Sequence, residues 1–118
     1  MKTRRLGKTG YDVSEIGLGC WQLGGDFGPV GDDTARAILD AANQAGITFW
    51  DTADVYGDGR SEKIIAAVLK ERDGDKPFVA TKAGRRLSPH VTEGYTGENI
   101  EAFIDRSLTN LGVETLDL

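Results

Sequence analysis

The sequence predicts an α/β fold built on a parallel sheet, and three observations carry that prediction. Short apolar runs rich in β-branched or aromatic residues open at Ile16, Ile47 and Phe78, about 30 to 35 residues apart, which is the period of a βα unit. After a polar or glycine-containing loop, each run is followed by a segment with apolar residues at helical spacing. A helix between consecutive strands returns the chain to the same end of the sheet, so the strands pair in parallel. Two architectures satisfy this pattern, the doubly wound sheet and the (β/α)8 barrel. A barrel typically needs about 250 residues, so these 118 would supply less than half of one.

Each element has a local reason. Arg4-Arg5-Leu6 and Tyr11-Asp12-Val13-Ser14 flank the turn Gly7-Lys8-Thr9-Gly10, which predicts a hairpin over 3–15. Ile16-Gly-Leu-Gly19 reads as a buried strand whose glycines permit close backbone approach. A glycine-rich loop from Cys20 to Gly31 leads to a helix capped by Asp32 or Asp33. That helix carries Ala35, Ile38, Leu39, Ala42 and Ala45 on one stripe and ends at Gly46. The strand 47–50 ends at Asp51, and the next helix is expected to be capped by Ser61, with Glu62 favouring the first turn electrostatically. Its buried face is Ile64, Ile65, Val68 and Leu69. Lys76-Pro77 turns the chain into the strand Phe78-Val-Ala-Thr81. A third helix from about Thr96 presents Ile100, Phe103, Ile104, Leu108 and Leu111 and closes at Gly112. Leu116-Asp-Leu118 reads as the opening of a fourth strand. The whole of 1–118 is thus one partial α/β domain: a hairpin, about three βα units and the start of a fourth strand.

Composition narrows the function. With 39% hydrophobic and 28% charged residues the chain is globular in type. A net charge of -5 spread along it argues against nucleic acid or an anionic membrane as the main partner. The lone Cys20 excludes an intramolecular disulfide and fits a reducing compartment. No apolar h-region follows the basic N-terminus, and no run approaches the roughly 20 residues that span a bilayer. The expected location is the cytoplasm. One histidine and one cysteine far apart give no metal-ligand spacing.

In a parallel sheet the carboxyl ends of the strands lie side by side, and there α/β folds build their sites. The first strand brings Gly19-Cys20-Trp21 to that rim, the second Asp51 with Tyr56 five residues on, and the third Lys82. A lysine beside an aspartate stays charged, and an ammonium favours the phenolate of a neighbouring tyrosine. Such a tyrosine exchanges a proton with a carbonyl or alcohol oxygen by general acid-base catalysis.

These residues carry a resemblance. Gly17-Leu-Gly-Cys-Trp21, Phe49-Trp-Asp-Thr-Ala-Asp-Val-Tyr-Gly57 with Gly59-Arg-Ser-Glu62, and Val79-Ala-Thr-Lys82 are similar to the aldo-keto reductase family. Arg5-Leu-Gly-Lys-Thr-Gly10 with Val13-Ser14 resembles that family's N-terminal hairpin, which plugs the bottom of its barrel. The resemblance implies the N-terminal portion of a (β/α)8 TIM barrel that reduces aldehydes or ketones with a nicotinamide cofactor, NADPH in the usual case and NADH as the alternative. It places three members of a catalytic tetrad on Asp51, Tyr56 and Lys82: Tyr56 as proton donor, Lys82 as the group that favours its phenolate, Asp51 as the anchor of Lys82. The fourth, a histidine at the end of the fourth strand, is expected beyond Leu118. Cofactor contacts are expected from Gly19, Cys20, Trp21 and Asp51.

Competing readings narrow the set. Trp21 is divided between packing and a wall of the substrate pocket. Asp54 and Gly57 are expected to shape the turn, Arg85-Arg86 to lie in a solvated loop, and His90 to serve a surface loop. Gly17-Leu-Gly19 lacks the third glycine of a dinucleotide fingerprint, because Gln22 stands there, and no helix follows directly. Three or four parallel strands alone leave a barrel-facing apolar surface and two open edges. A fragment of a longer, active protein is therefore expected, inactive alone. The alternative is a non-catalytic half-barrel, or a regulatory module, whose open face pairs with another chain. The partners expected are a small carbonyl substrate and the rest of a barrel or a second copy.

Overall fold

Successive side chains of a strand point to opposite faces, and that alternation decides what each face of the central sheet holds. A computed structural model describes all residues, Met1–Leu118. Its central sheet has three parallel strands in the order β3 (Leu18–Gly19), β4 (Phe49–Asp51) and β5 (Phe78–Ala80). Leu18, Trp50 and Val79 share one register level and one face. They join the main hydrophobic cluster with Leu23, Leu39, Ile65, Val68 and Leu69, under the helices. Phe49 and Phe78 share the opposite face, stacked at 5.8 Å. One step towards the rim on that face, Asp51 lies in register with Gly19 on one side and Ala80 on the other.

The hairpin pairs β1 (Thr3–Arg5) with β2 (Asp12–Ser14) in antiparallel register. It is fastened to the amino end of β4, the end remote from Asp51. The Ser14 N–H donates to Thr48 Oγ1 and the Thr48 N–H donates to Ser14 Oγ, both at 2.9 Å. Tyr11 packs edge-on against Phe78 at 4.8 Å.

Three helices cover the other face: α1 (Asp32–Gln44), α2 (Arg60–Lys70) and α3 (Gly97–Leu111). For α3 the expected start holds, since Thr96 is the N-cap and its side chain accepts from the Asn99 N–H, and Gly112 closes it in the left-handed conformation. Two expected caps are corrected. Gly31 occupies the N-cap of α1, and Asp32 and Asp33 sit in its first turn, where their charge meets the helix dipole without a capping bond. In α2 the N-cap is Gly59, at φ 92°, and Ser61 lies inside the helix, fully buried. Glu62 is in the first turn as expected, but it too is fully buried. Of the predicted stripes, Ala45 lies past α1 and is exposed, and Ile104 of α3 is 40% exposed. The Cys20–Gly31 loop contains a single 3-10 turn at Trp21–Gly24.

Residues 116–118 run beside β5, where a fourth strand belongs. The Thr81 N–H donates to the Leu118 carbonyl at 2.9 Å, and the Val79 N–H donates to the Asp117 carboxylate at 2.9 Å. One backbone bond and one side-chain bond make no ladder, so the stretch is adjacent to the sheet without being a strand. No helix is long and apolar enough to cross a membrane.

Candidate active site

Period-two alternation from Ala80 puts Lys82 on the same face as Asp51, and its side chain reaches back along that face. Lys82 Nζ donates to Asp51 Oδ1 at 2.6 Å and to the Thr52 carbonyl at 2.8 Å. The same nitrogen lies 5.2 Å from the centroid of the Tyr56 ring. Burial pulls the Lys82 ammonium down, but the hydrogen bond and charge of Asp51, joined by Tyr56, outweigh it, and the group sits above its ordinary value. It therefore stays charged throughout the neutral range. Tyr56 is 9% exposed, and its ring stacks on Trp21 at 5.8 Å with 20° between planes. The structure thus brings Asp51, Tyr56, Lys82 and Trp21 into one group.

A second set of bonds holds the three strand ends to α2. The hydroxyls of Thr52 and Ser61 lie 2.9 Å apart, and Ser61 Oγ donates to the Cys20 carbonyl at 2.9 Å. The Cys20 N–H donates to the Asp51 carbonyl at 2.8 Å. Glu62 accepts from Thr81 Oγ1 at 2.7 Å and from Asn110 Nδ2 at 2.8 Å, joining α2 to the end of β5 and to α3. Arg60 binds the carbonyls of Leu23 and Val30 and the Asp32 carboxylate, tying the Cys20–Gly31 loop to the start of α2.

The other named residues fall as follows. Gly19 is exposed, and a side chain there would meet nothing within 4 Å, so the space beside Asp51 is open. Cys20 is fully buried in the hydrophobic cluster, and burial, with the Asp51 charge adding and Lys82 opposing, pushes its thiol up to about 12. Only its peptide groups face the rim bonds. The turn after β4 is closed by the Tyr56 N–H to the Ala53 carbonyl and the Asp58 N–H to the Val55 carbonyl. Asp54 does not cap it. That side chain is 1% exposed, neither oxygen has a well-formed hydrogen-bond partner, and burial together with Glu62 holds its carboxyl above the usual range. Gly57 does shape the turn, at φ 59° against the backbone of Gly24. Arg85 is exposed, whereas Arg86 pairs with Asp58, as does Arg106. His90 is exposed and bonded to the Tyr95 hydroxyl at 2.7 Å.

Comparison with known proteins places this arrangement. The model of the aldo/keto reductase family matches residues 15–118. The chain is 38% identical over its whole length to the uncharacterized oxidoreductase YqkF of Bacillus subtilis, covering 38% of that protein. It is 36% identical over 98% of its length to an aldo-keto reductase of Schizosaccharomyces pombe whose name specifies NADP(+), covering 35% of it. Among solved structures, an aldo-keto reductase from Bacillus halodurans in its holo form superposes with a TM-score of 0.78 at 34% identity. That match spans 98% of this chain and 38% of the other. The fold is accordingly part of an (β/α)8 barrel, and the chain spans about two-fifths of the length of these relatives.

Proposed function

This chain belongs to the aldo/keto reductase family, and on that premise we propose that it forms the proton-transfer side of an enzyme that reduces aldehydes or ketones to alcohols. The observation that carries the reading is the Lys82 ammonium, 2.6 Å from Asp51 and 5.2 Å from the Tyr56 ring centre. A reduced nicotinamide, NADPH in the first instance and NADH as the alternative, supplies a hydride to the carbonyl carbon when bound. Tyr56 donates its hydroxyl proton to the carbonyl oxygen. Lys82 stabilises the phenolate left behind, and Asp51 fixes the position and charge of Lys82. In the reverse direction the phenolate takes the alcohol proton.

The residues present fit such a cofactor at its reacting end. Gly19 flanks Asp51 without a side chain, and a Cβ there would meet nothing within 4 Å, so the rim on that side is open. Gly19, Trp21, Asp51 and the peptide groups of Cys20 are the contacts we assign to it. The remaining grip, the fourth tetrad member and the substrate loops are assigned to the rest of a barrel of the relatives' length. The 118 residues by themselves are expected to turn over little, because positioning and electrostatic stabilisation are shared across the whole rim. A buried, free Cys20 and a net charge of -5 favour a cytoplasmic enzyme acting on a small molecule.

The test is consumption of NADPH by the longer protein carrying this chain, followed optically with a set of aldehydes and ketones. Alcohol formed in step with cofactor oxidised is the expected result. No carbonyl-dependent oxidation of either NADPH or NADH would overturn the reading.

A further inference from the structure

We propose that Asp26 is a positioning residue of this site, holding Trp21 in place as an aromatic wall above Tyr56. One carboxylate oxygen does two tasks. Asp26 Oδ2 accepts from Trp21 Nε1 at 3.1 Å and from the Gly57 N–H at 3.1 Å. Gly57 directly follows Tyr56, so a single oxygen bridges the loop after β3 to the turn that presents the proton donor. The two backbones meet at the same place. A Cβ on Gly57 would lie 2.2 Å from the Gly24 carbonyl oxygen, and one on Gly24 would lie 2.5 Å from the Gly57 nitrogen. Contact this close leaves the loop docked on the turn, and Asp26 adds the only side chain that bonds both.

The consequence lies in the aromatic rings. Trp21, fixed through its indole N–H, stacks on Tyr56 at 5.8 Å and is flanked by Phe27 at 4.4 Å. Trp21 and Phe27 remain 44% and 68% exposed. Large apolar rings held exposed beside a polar centre mark a ligand-facing surface. Stacked rings prefer offset or tilted partners with centroids about 4.5–7 Å apart, so the wall suits carbonyl compounds with a flat apolar group next to the reacting carbon. Asp26 touches neither substrate nor reacting atoms. It acts through the orientation of Trp21. This inference rests on the reading of Tyr56 as proton donor, and its test is chosen so that the two can fail separately.

In the enzyme that carries this chain, Asp26→Ala and Asp26→Asn are compared by kinetics and by iodide quenching of tryptophan fluorescence. Trp50 is fully buried, so within this chain the quenchable signal comes from Trp21, and the part of the parent's quenching that is lost in Trp21→Phe separates it from tryptophans elsewhere in the enzyme. Asn retains a carbonyl acceptor at the same place; Ala does not. Asp26→Ala is expected to raise the quenching constant and to raise KM for benzaldehyde about tenfold, in line with loss of the two hydrogen bonds that Asp26 accepts. KM for acetaldehyde, too small to use the wall, should hold, and Asp26→Asn should restore both readouts. Unchanged quenching in Asp26→Ala, or an equal rise of KM for both aldehydes, would overturn the positioning role. If the parent enzyme reduces no aldehyde or ketone of the set, the reductase reading fails, and the quenching comparison alone decides whether Asp26 holds Trp21.

Discussion

Tyr56→Phe is expected to lower kcat for carbonyl reduction by about 10²–10⁴-fold, the range supplied by a positioned general acid, while leaving cofactor affinity unchanged. The substitution is sparing in every other respect. Phenylalanine keeps the buried ring and its stack on Trp21 at 5.8 Å. It keeps the aromatic face 5.2 Å from Lys82 Nζ, and the turn bond from residue 56 to the Ala53 carbonyl is a backbone bond. Only the hydroxyl is lost, so a rate loss with unaltered fold and unaltered cofactor binding isolates proton donation. Steady-state kinetics with the reduced cofactor at saturation, alongside its affinity by fluorescence titration, make the separation. A variant retaining parental kcat would remove Tyr56 from the chemistry.

The largest structural effect is expected at Trp50. Trp50→Ala should destabilise the protein by about 3–5 kcal/mol, the usual cost of emptying a buried aromatic site. The indole is fully buried at the level where Leu18, Trp50 and Val79 align across the sheet, with the residues of all three helices around it. Its Nε1–H donates to the Ile47 carbonyl at 3.1 Å, and the Arg72 guanidinium lies 5.1 Å from its ring. Truncation leaves a cavity, an unsatisfied carbonyl and an arginine without its aromatic partner. Because domains are commonly stable by only about 5–15 kcal/mol, the variant should sit near its unfolding threshold. A denaturant midpoint close to that of the parent would show that the core does not depend on this layer. The effect reaches the site through the chain itself, since Trp50 immediately precedes Asp51.

The sequence spoke most clearly where one residue carried its own local reason. The run ending at Asp51 located the strand end, Thr96 and Gly112 bracketed α3, and the spacing of apolar residues located all three helices. Parallel strands bring their ends to one rim, which made Asp51, Tyr56 and Lys82 possible neighbours, and the family resemblance is what marked them as one group. What was not legible depended on partners distant along the chain. Ser61 and Glu62 have the composition of a helix start, yet Ser61 turns inward to Thr52 and Cys20, and Glu62 to Thr81 and Asn110. Nothing in Gly59-Arg-Ser-Glu62 signals those contacts. The N-cap of α1 falls on Gly31 because an acid in the first turn is favourable whether or not it caps, so Asp32 and Asp33 give no unique boundary. Asp26 was missed entirely. It lies in a glycine-rich loop without periodicity, and its partners are five and 31 residues away. Trp21, divided between packing and pocket wall on sequence grounds with the wall favoured, is half-exposed and stacked on Tyr56, which sets it at the mouth of the site.

The central claim is that Lys82 works through Tyr56, and a double-mutant cycle tests it most directly. kcat is measured for the parent, Tyr56→Phe, Lys82→Met and the double variant, in the enzyme carrying this chain. Residues that act as one unit are strongly non-additive. With the hydroxyl gone, an ammonium that serves only that hydroxyl has nothing left to assist, so the double variant should be no slower than Tyr56→Phe alone. A double variant whose loss equals the product of the two single losses would contradict the account, for Lys82 would then be acting independently of Tyr56.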